Sequence, residues 1–240
     1  MIQLYAVNIL PLQDEACFMD CYLRSAEGRR NKADTLKMQG DKARCIAAGL
    51  LLEYAYKKFK SDNKKELARA NSFGYASEAG TDFLSEDEMP EIKSGKNGKP
   101  YFIFKDGAEP IFFNLSHSGN YVICAMADRE VGADIQKVTR VRESLVRRCF
   151  SQEEKHRLDA CGEDEMSREI CFASGWAAKE AEAKLSGRGI GQLLENVKNN
   201  TELWQGILEE EYAWAVAWYL EPEGPSRQLI LVDEGELFHE

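Results

Sequence analysis

The sequence lacks the features that would place the chain in a membrane or make it a zinc protein. It has no run of about 18 or more apolar residues, so we expect no membrane-spanning helix. Three histidines and the absence of a C-x-x-C pair leave little material for a Cys/His zinc site. The first residues carry no basic leader and do not resemble a signal peptide. We therefore expect a cytoplasmic protein with no membrane partner.

An excess of positive charge is also missing. The 240 residues include 31 Lys and Arg against 41 Asp and Glu, a formal net charge of −10, which argues against general nucleic-acid binding. Within residues 137–148 the balance is reversed, because five basic residues face a single acid, Glu143: they are Lys137, Arg140, Arg142, Arg147 and Arg148. This segment is either a basic docking surface on an acidic protein or a solvated helix face.

The seven cysteines are odd in number and scattered along the chain. Cys17 and Cys21 are four residues apart on a predicted helix, so their side chains could face each other. We expect the cysteines to be small buried hydrophobes in a reducing compartment.

The most informative stretch begins with V-G-A-D-I-Q at residues 131–136, which reads as a short strand. Side chains alternate along a strand, so Asp134 and Gln136 share one face while Ile135 points to the other, into the core. The strand therefore presents two oxygen-bearing side chains on one face.

The same stretch ends with W-A-A-K-E-A-E-A-K-L-S-G-R-G at residues 176–189, which reads as a helix. Trp176, Glu180 and Lys184 are four residues apart and form one stripe. Gly187 and Gly189 predict the end of the helix. An oxygen-rich strand facing a helix with Glu and Lys can hold a hard cation together with a phosphate, since Mg²⁺ prefers one or two carboxylates plus phosphate oxygens and water.

The strand and the helix together resemble the Sfp-type 4′-phosphopantetheinyl transferases, whose pattern is V-G-x-D-[IV]-E followed by W-x-x-K-E-[AS]-x-x-K-x-x-G-x-G. Two further signatures lie upstream, G-K-P at residues 98–100 and N-L-S-H-S at residues 114–118. Each piece alone is a weak signal, but their order and spacing are specific. The resemblance covers roughly residues 37–190.

The resemblance implies an α+β fold of two similar halves, related by a pseudo-twofold axis, with a coenzyme in the cleft between them. Residues 1–128 would bind the nucleotide end, and residues 129–240 would carry the metal site, the catalytic helix and the carrier docking surface. Apolar periodicity predicts a long helix over about residues 35–60. Strands are predicted over residues 203–208, 212–220 and 228–232, as one antiparallel sheet. Residues 61–95 predict an irregular, acidic excursion.

The activity implied by the resemblance is Mg²⁺-dependent transfer of the 4′-phosphopantetheine arm of coenzyme A to a serine of an apo acyl or peptidyl carrier protein. Adenosine 3′,5′-bisphosphate is released, and the resemblance favours a monomer. Two alternatives stay open. One is a catalytically weak module that binds coenzyme A or a carrier, and the other is an unrelated Mg²⁺-dependent phosphate hydrolase.

The resemblance also assigns site residues. Mg²⁺ would be held by Asp134, Glu180 and Gln136. Catalysis would use Glu180 as the base and Lys184 on the pyrophosphate. The coenzyme would contact Lys37, Arg44, Gly98, Lys99, Pro100, Ser116, His117, Lys179 and Lys184. The carrier would contact Arg142, Arg147 and Arg148.

Gln136 departs from the family pattern, which has a second acid at this position. An amide oxygen can still ligate Mg²⁺, directly or through water, but it brings no charge. We therefore expect weaker metal binding than at a site with three carboxylates.

Several assigned residues also have simpler interpretations. Arg44 could be a solvated helix charge paired with Asp41 or Glu53, and the G-K-P segment could be a surface hairpin turn without a ligand. His117 could be a structural histidine. A nucleophile–base pair of Ser116 and His117 is disfavoured, because adjacent strand residues point to opposite faces.

Overall fold

The computed structural model describes residues 1–72, 89–95, 97–104, 108–162, 164–189 and 200–239. The strands are β1 Ile2–Asn8, β2 Glu91–Ser94, β3 Pro100–Ile103, β4 Phe112–Ser118, β5 Tyr121–Ala127, β6 Val131–Lys137, β7 Thr201–Leu208, β8 Tyr212–Tyr219 and β9 Arg227–Leu231. The helices are α1 Glu15–Arg24, α2 Glu27–Asp34, α3 Gln39–Ser72, α4 Glu143–Cys149, α5 Gln152–Asp159, α6 Glu165–Ser186 and α7 Glu234–Phe238. The expected mixed α+β class is confirmed.

The strands form two larger sheets and one hairpin. The first sheet has the order β4-β5-β1-β9, and the second has the order β6-β8-β7. Neighbouring strands are antiparallel except β1 and β9, which run parallel. The hairpin consists of β2 and β3. The hairpin carries the G-K-P turn, so its position decides where that motif lies.

The two sheets pack face to face between two long helices. On β1, Leu4 and Ala6 lie in the core cluster that contains the second sheet, whereas Tyr5 and Val7 lie in the cluster that contains α3. Successive side chains of a strand point to opposite faces, so these two clusters bury both faces of β1. The layers run in the order α3, first sheet, second sheet, α6.

Small residues let α6 lie close to the second sheet. On β8, Ala215 and Ala217 pack against Ala177 and Ala181 of α6. A Cβ on Gly132 of β6 would lie 2.1 Å from the Ala181 carbonyl oxygen and would also collide with the next turn of the helix. The glycine of the V-G-A-D motif thus allows the close approach of helix and strand.

The central helix and most predicted strands are confirmed, with shifted ends. α3 begins at Gln39 and extends to Ser72, beyond the predicted end near residue 60. The acidic excursion predicted for residues 61–95 therefore begins in a helix and ends in β2, and residues 73–88 lie outside the described residues. A capping box at Ser151 and Glu154 begins α5, and Gly187 ends α6 in the left-handed conformation, as predicted.

The prediction that residues 228–232 join the sheet of β7 and β8 is wrong. β9 pairs with β1 of the first sheet, with Leu229 opposite Leu4. The physical reason is burial on both faces of the first sheet: Leu229 packs against the core between the two sheets, and Ile230 packs against the core around α3. α7 follows β9, and Phe238 enters the core around α3. The division at residue 129 stays a prediction, with this final segment returning to the first sheet.

One expectation about the cysteines is also wrong. Cys161 and Cys171 form a disulfide between the end of α5 and the first half of α6. The loop between the two helices brings their Cα atoms to 6.3 Å, within the range that a disulfide spans. The other five cysteines are free, and four of these are buried. Within the described residues, every helix is too short or too polar to cross a membrane.

The packing of α6 on β6 leads to a prediction for Gly132→Ala. The added methyl group would meet backbone atoms of α6, which cannot move aside as a flexible side chain can. We expect the free energy of unfolding to fall by about 3 kcal/mol, measured by chemical denaturation.

The matched control is Gly28→Ala on α2, where a Cβ would meet no atom within 4 Å. It should leave the stability unchanged or raise it by up to about 1 kcal/mol, because alanine favours the helix. Equal stabilities of the two variants would contradict the close-approach argument.

Candidate functional site

A cavity of about 270 Å³ lies between the hairpin turn and the last turns of α6. One wall is the turn with Gly98, Lys99 and Pro100, together with β4. The opposite wall is α6 with Glu180 and Lys184. The remaining lining residues are Asn97, Asn114, Leu115, Ala183, Gly187 and Gly189. The cavity thus brings together three of the four motifs that carry the family resemblance: the G-K-P turn, the N-L-S-H-S strand and the helix of Glu180.

The N-L-S-H-S motif forms the floor of the site by joining the two sheets. The side-chain oxygens of Asn114, Ser116 and Ser118 accept hydrogen bonds from the backbone N–H groups of residues 133, 135 and 137 on β6, over 3.0, 3.4 and 2.9 Å. These side chains are two residues apart, so all of them point from β4 towards β6. The register places Ser116 beside Asp134.

Asp134 is the buried centre of the site, with 1% of its surface exposed. Its Oδ1 accepts a hydrogen bond from Ser116 Oγ over 2.6 Å and an ion pair from Lys184 Nζ over 2.6 Å. Lys184 Nζ also donates to Ser116 Oγ over 2.8 Å. Gln136 Nε2 donates to the other oxygen, Oδ2, over 2.8 Å. A buried carboxylate is thus fully hydrogen-bonded and paired with a cation, as its burial requires.

Glu180 lies next to this carboxylate on α6. Gln136 Nε2 is 3.4 Å from Glu180 Oε2, so the amide donates between the two acids. Burial, and then the negative charge of Asp134, raise the pKa of Glu180 to about 7, against the lowering effects of Lys184 and a hydrogen bond from Trp176. A carboxyl group with this pKa can accept a proton near neutral pH.

Asp134 and Glu180 are a donor set that could hold Mg²⁺. In the described part of the chain, three or more His, Cys, Asp or Glu side chains nowhere gather as a metal site. Two carboxylates suffice for Mg²⁺ when substrate phosphates and water complete the octahedron. Gln136 presents its NH₂ group to both acids, so ligation through its oxygen would require rotation of the amide.

Cationic groups gather at the rim beside His117. Partial burial, and then the positive charges of Arg44 and Lys184, lower the pKa of His117. Burial is the larger cause, and the charges of Arg44 and Lys184 are the causes that an incoming anion would offset. Arg44 is held by Asp41 over 2.5 Å and by the Gly119 carbonyl oxygen over 2.9 Å. The rim is therefore suited to an anionic ligand such as a phosphate.

A tyrosine from the second sheet fixes the turn after His117. Gly119 has a φ of +53°, and a Cβ there would lie 2.7 Å from the Tyr212 hydroxyl. The same hydroxyl accepts a hydrogen bond from the Asn120 N–H over 3.2 Å. The Gly119 carbonyl that orients Arg44 is thereby positioned by both sheets. The sequence showed the turn but not its partner, because Tyr212 is distant along the chain.

The structure does not bring every assigned residue into the cavity. Lys179 pairs with Glu154 over 2.9 Å, and Lys37 is exposed just before α3. Lys99 lines the cavity, but its ammonium group binds Glu130 over 2.7 Å and the Leu185 carbonyl oxygen over 3.0 Å. The roles of these lysines as coenzyme ligands stay predictions.

The basic segment lies on α4 and the residue before it. Arg142, Arg147 and Arg148 are all exposed. The Arg142 guanidinium lies over the rings of Phe172 and Trp176, at 5.9 and 5.8 Å from their centroids. Its position is therefore tied to α6, the helix that carries Glu180.

Our residue assignments omitted several residues that the structure places in the cavity. Asn114 and Leu115 were visible in the N-L-S-H-S motif, and Asn97 was visible in the hairpin turn. The available signals were the position of Asn114 and Leu115 on a predicted strand and the position of Asn97 in a turn sequence. The folded hairpin was needed to show that these residues face α6.

The shifted pKa of Glu180 predicts a pH-dependent stability in metal-free protein. The folded-state pKa of about 7 lies above the usual 4.5, so the folded state binds this proton more tightly than the unfolded state. The resulting stabilisation is full below about pH 4.5 and is lost as the pH rises through about 7. Glu180→Gln should therefore be more stable than the unsubstituted protein by about 2 kcal/mol near pH 8.5, and this difference should shrink below about pH 5.

Urea denaturation with a chelator present, at both pH values, measures this difference. Glu153→Gln on the exposed face of α5 is the matched control and should show no such pH-dependent gain. A gain at Glu180 that is the same at both pH values would contradict the assignment of the shift.

A sequence model of the 4′-phosphopantetheinyl transferase superfamily matches residues 130–220. The 4′-phosphopantetheinyl transferase HetI of Nostoc sp. (strain PCC 7120) is 31% identical over 168 residues, covering 63% of this chain and 70% of the relative. Sfp of Bacillus subtilis (strain 168) is 36% identical over 84 residues, covering 35% of this chain and 37% of the relative.

A third relative, the transferase psf-1 of Bacillus pumilus, is 38% identical over 78 residues, or 32% of this chain. The matches to psf-1 and Sfp span only 33% and 37% of the lengths of those proteins. The match to HetI spans 70% of the length of HetI. The family match includes Asp134 and α6 with Glu180 and Lys184. The chain therefore belongs to the 4′-phosphopantetheinyl transferase superfamily.

Proposed function

We propose that this protein transfers the 4′-phosphopantetheine arm of coenzyme A to a serine of an apo acyl or peptidyl carrier protein. The observation that carries the proposal is the network of Asp134, Lys184 and Ser116, from which Lys184 reaches the wall of a cavity lined also by Glu180 and the G-K-P turn. Membership of the superfamily supports the reaction class.

Coenzyme A binds in the cleft between two halves related by a pseudo-twofold axis. The first half, residues 1–128, supplies Arg44, His117 and the hairpin turn, and the second half supplies α6. The cationic rim supports binding of the phosphates, since His117 already lies in the field of Arg44 and Lys184. The layer order of helix, sheet, sheet and helix supports the two-half arrangement.

Asp134 and Glu180 would hold Mg²⁺, which when bound neutralises charge on the pyrophosphate. Gln136 donates to both carboxylates and keeps them close together without adding a third negative charge. Two acids instead of three imply weaker metal binding, as expected from Gln136.

The protein groups handle the proton and the phosphate oxygens. Glu180 accepts the proton from the carrier serine, directly or through water. The serine oxygen forms a bond to the β-phosphorus, and the bond from that phosphorus to the bridging oxygen breaks. The electron pair leaves with adenosine 3′,5′-bisphosphate. Lys184 shares its donors between Asp134 and the pyrophosphate oxygens.

The deciding experiment measures the intact mass of an apo carrier protein after incubation with this protein, coenzyme A and Mg²⁺. A gain equal to the phosphopantetheine arm is expected, and Glu180→Ala should abolish it. Lys57→Ala, an exposed change on α3, is the control that should retain it. Unmodified carriers together with intact coenzyme binding would overturn the transferase and favour the binding module, for which Gln136 is the supporting observation. Release of inorganic phosphate without any carrier would favour the hydrolase.

The basic segment is proposed to contact the carrier, because the overall net charge of −10 would otherwise repel an acidic carrier. Arg147 and Arg148 are exposed in the last turn of α4, and Arg142 precedes this helix. The protein is proposed to act as a monomer, with both halves of the cleft in one chain.

The docking surface predicts a salt-dependent effect of Arg147→Ala combined with Arg148→Ala. The KM for the carrier should rise about tenfold at low salt, while kcat and the KM for coenzyme A change little. The difference should shrink above about 0.5 M salt, because screening removes the attraction. Steady-state kinetics over a salt series measures it, with Lys32→Ala on α2 as the control for loss of a surface charge. A KM for the carrier that is independent of salt would contradict this docking surface.

A further inference from the structure

The turn of the β2–β3 hairpin is tied to the C-terminal end of α6. Asn97 Nδ2 donates to the Gly187 carbonyl oxygen over 2.7 Å, and Lys99 Nζ donates to the Leu185 carbonyl oxygen over 3.0 Å. Gly187 ends the helix with a φ of +65°. The last carbonyl groups of a helix have no partner within the helix, so these two side chains satisfy acceptors that the helix leaves open.

Glu130 completes the arrangement from the connection between β5 and β6. Its carboxylate lies 2.7 Å from Lys99 Nζ, with 48% of the Glu130 side chain and 21% of the Lys99 side chain exposed. A cation at the C-terminal end of a helix is favoured by the helix dipole. Lys99 therefore has two anionic or partly negative partners within the protein. We call Asn97, Lys99 and Glu130, with the carbonyl groups of Leu185 and Gly187, the hairpin latch.

The hairpin latch connects the two walls of the cavity. The turn supplies Gly98 and Pro100 to one wall, and α6 supplies Glu180 and Lys184 to the other. Gly98 has a φ of +82°, so its conformation suits glycine and the turn cannot easily be rebuilt with another residue. The distance between the two walls therefore depends on contacts that lie outside the reacting groups.

We infer that Asn97, Lys99 and Glu130 are positioning residues, which hold the hairpin turn against α6 and thereby set the affinity of the cavity for coenzyme A. Lys99 acts through the helix end and Glu130, and does not serve as a phosphate ligand. This inference rests on the proposed function for the identity of the ligand. The latch itself is a property of the ligand-free protein.

The two roles of Lys99 predict opposite results for Glu130→Gln. If Lys99 were a phosphate ligand, removing its carboxylate partner would free the ammonium group and tighten coenzyme binding or leave it unchanged. If Lys99 belongs to the hairpin latch, the same change loosens the turn and weakens coenzyme binding. Lys99→Met should weaken binding in both cases, so it does not separate the roles by itself.

The experiment combines titration calorimetry with coenzyme A and amide hydrogen exchange in ligand-free protein. For Glu130→Gln we expect a Kd raised about three- to fivefold, the size typical of a half-exposed ion pair. Exchange should be faster at Gly95 and Gly98, whose N–H groups bond within the turn. Asn97→Ala should behave similarly, Lys99→Arg should restore most of the loss seen in Lys99→Met, and the KM for the carrier should not change.

Glu91→Gln on β2 is the control, since it removes a hairpin carboxylate that pairs only loosely with Lys93, over 3.7 Å. Tighter or unchanged coenzyme binding in Glu130→Gln would overturn the inference and make Lys99 a phosphate ligand. If the protein bound no coenzyme A at all, the proposed function would fail, and the exchange rates would still decide whether the latch exists. Unchanged exchange in both Glu130→Gln and Asn97→Ala would overturn the latch.

Discussion

The site depends on the hydrogen bonds between side chains of β4, an edge strand of the first sheet, and the backbone of β6 in the second sheet. Asn114, Ser116 and Ser118 accept from backbone N–H groups of β6, where strands within one sheet would use carbonyl oxygens. Because the side-chain oxygens are in fixed register, Asp134 can only lie beside Ser116. Ser116, which the resemblance assigns to the coenzyme, donates its hydroxyl to Asp134 and accepts from Lys184.

The second constraint is the closeness of α6 to β6. Carboxylates on separate elements interact only if their backbones approach. Gly132 allows this approach, because it has no Cβ to collide with the backbone of α6. Burial raises the pKa of Glu180 most and the charge of Asp134 raises it further, and both follow from this approach. The glycine and the aspartate of one short motif therefore act together, the first by lacking a side chain and the second by presenting one.

Local periodicity predicted much of the site. The strand face of Asp134 and Gln136 and the helical stripe of Glu180 and Lys184 both depend on neighbours within about four residues. The position of β9, the disulfide and the partners of Lys99 depend on contacts between distant parts of the chain, for which the local pattern contains no signal. The direction of the Gln136 amide falls in the same class, because it is set by two acids on different elements.

The return of β9 to the first sheet affects the order in which the chain can fold during synthesis. β1 leaves the ribosome before the other described strands, whereas β9, one of its two neighbours, is the last of the described strands to be made. Until then one edge of the first sheet stays open, and the place of Phe238 in the core around α3 stays empty. The second sheet and α6 can pack earlier, so the half made first is the half completed last. A nascent chain should therefore depend on protection of that edge until β9 emerges.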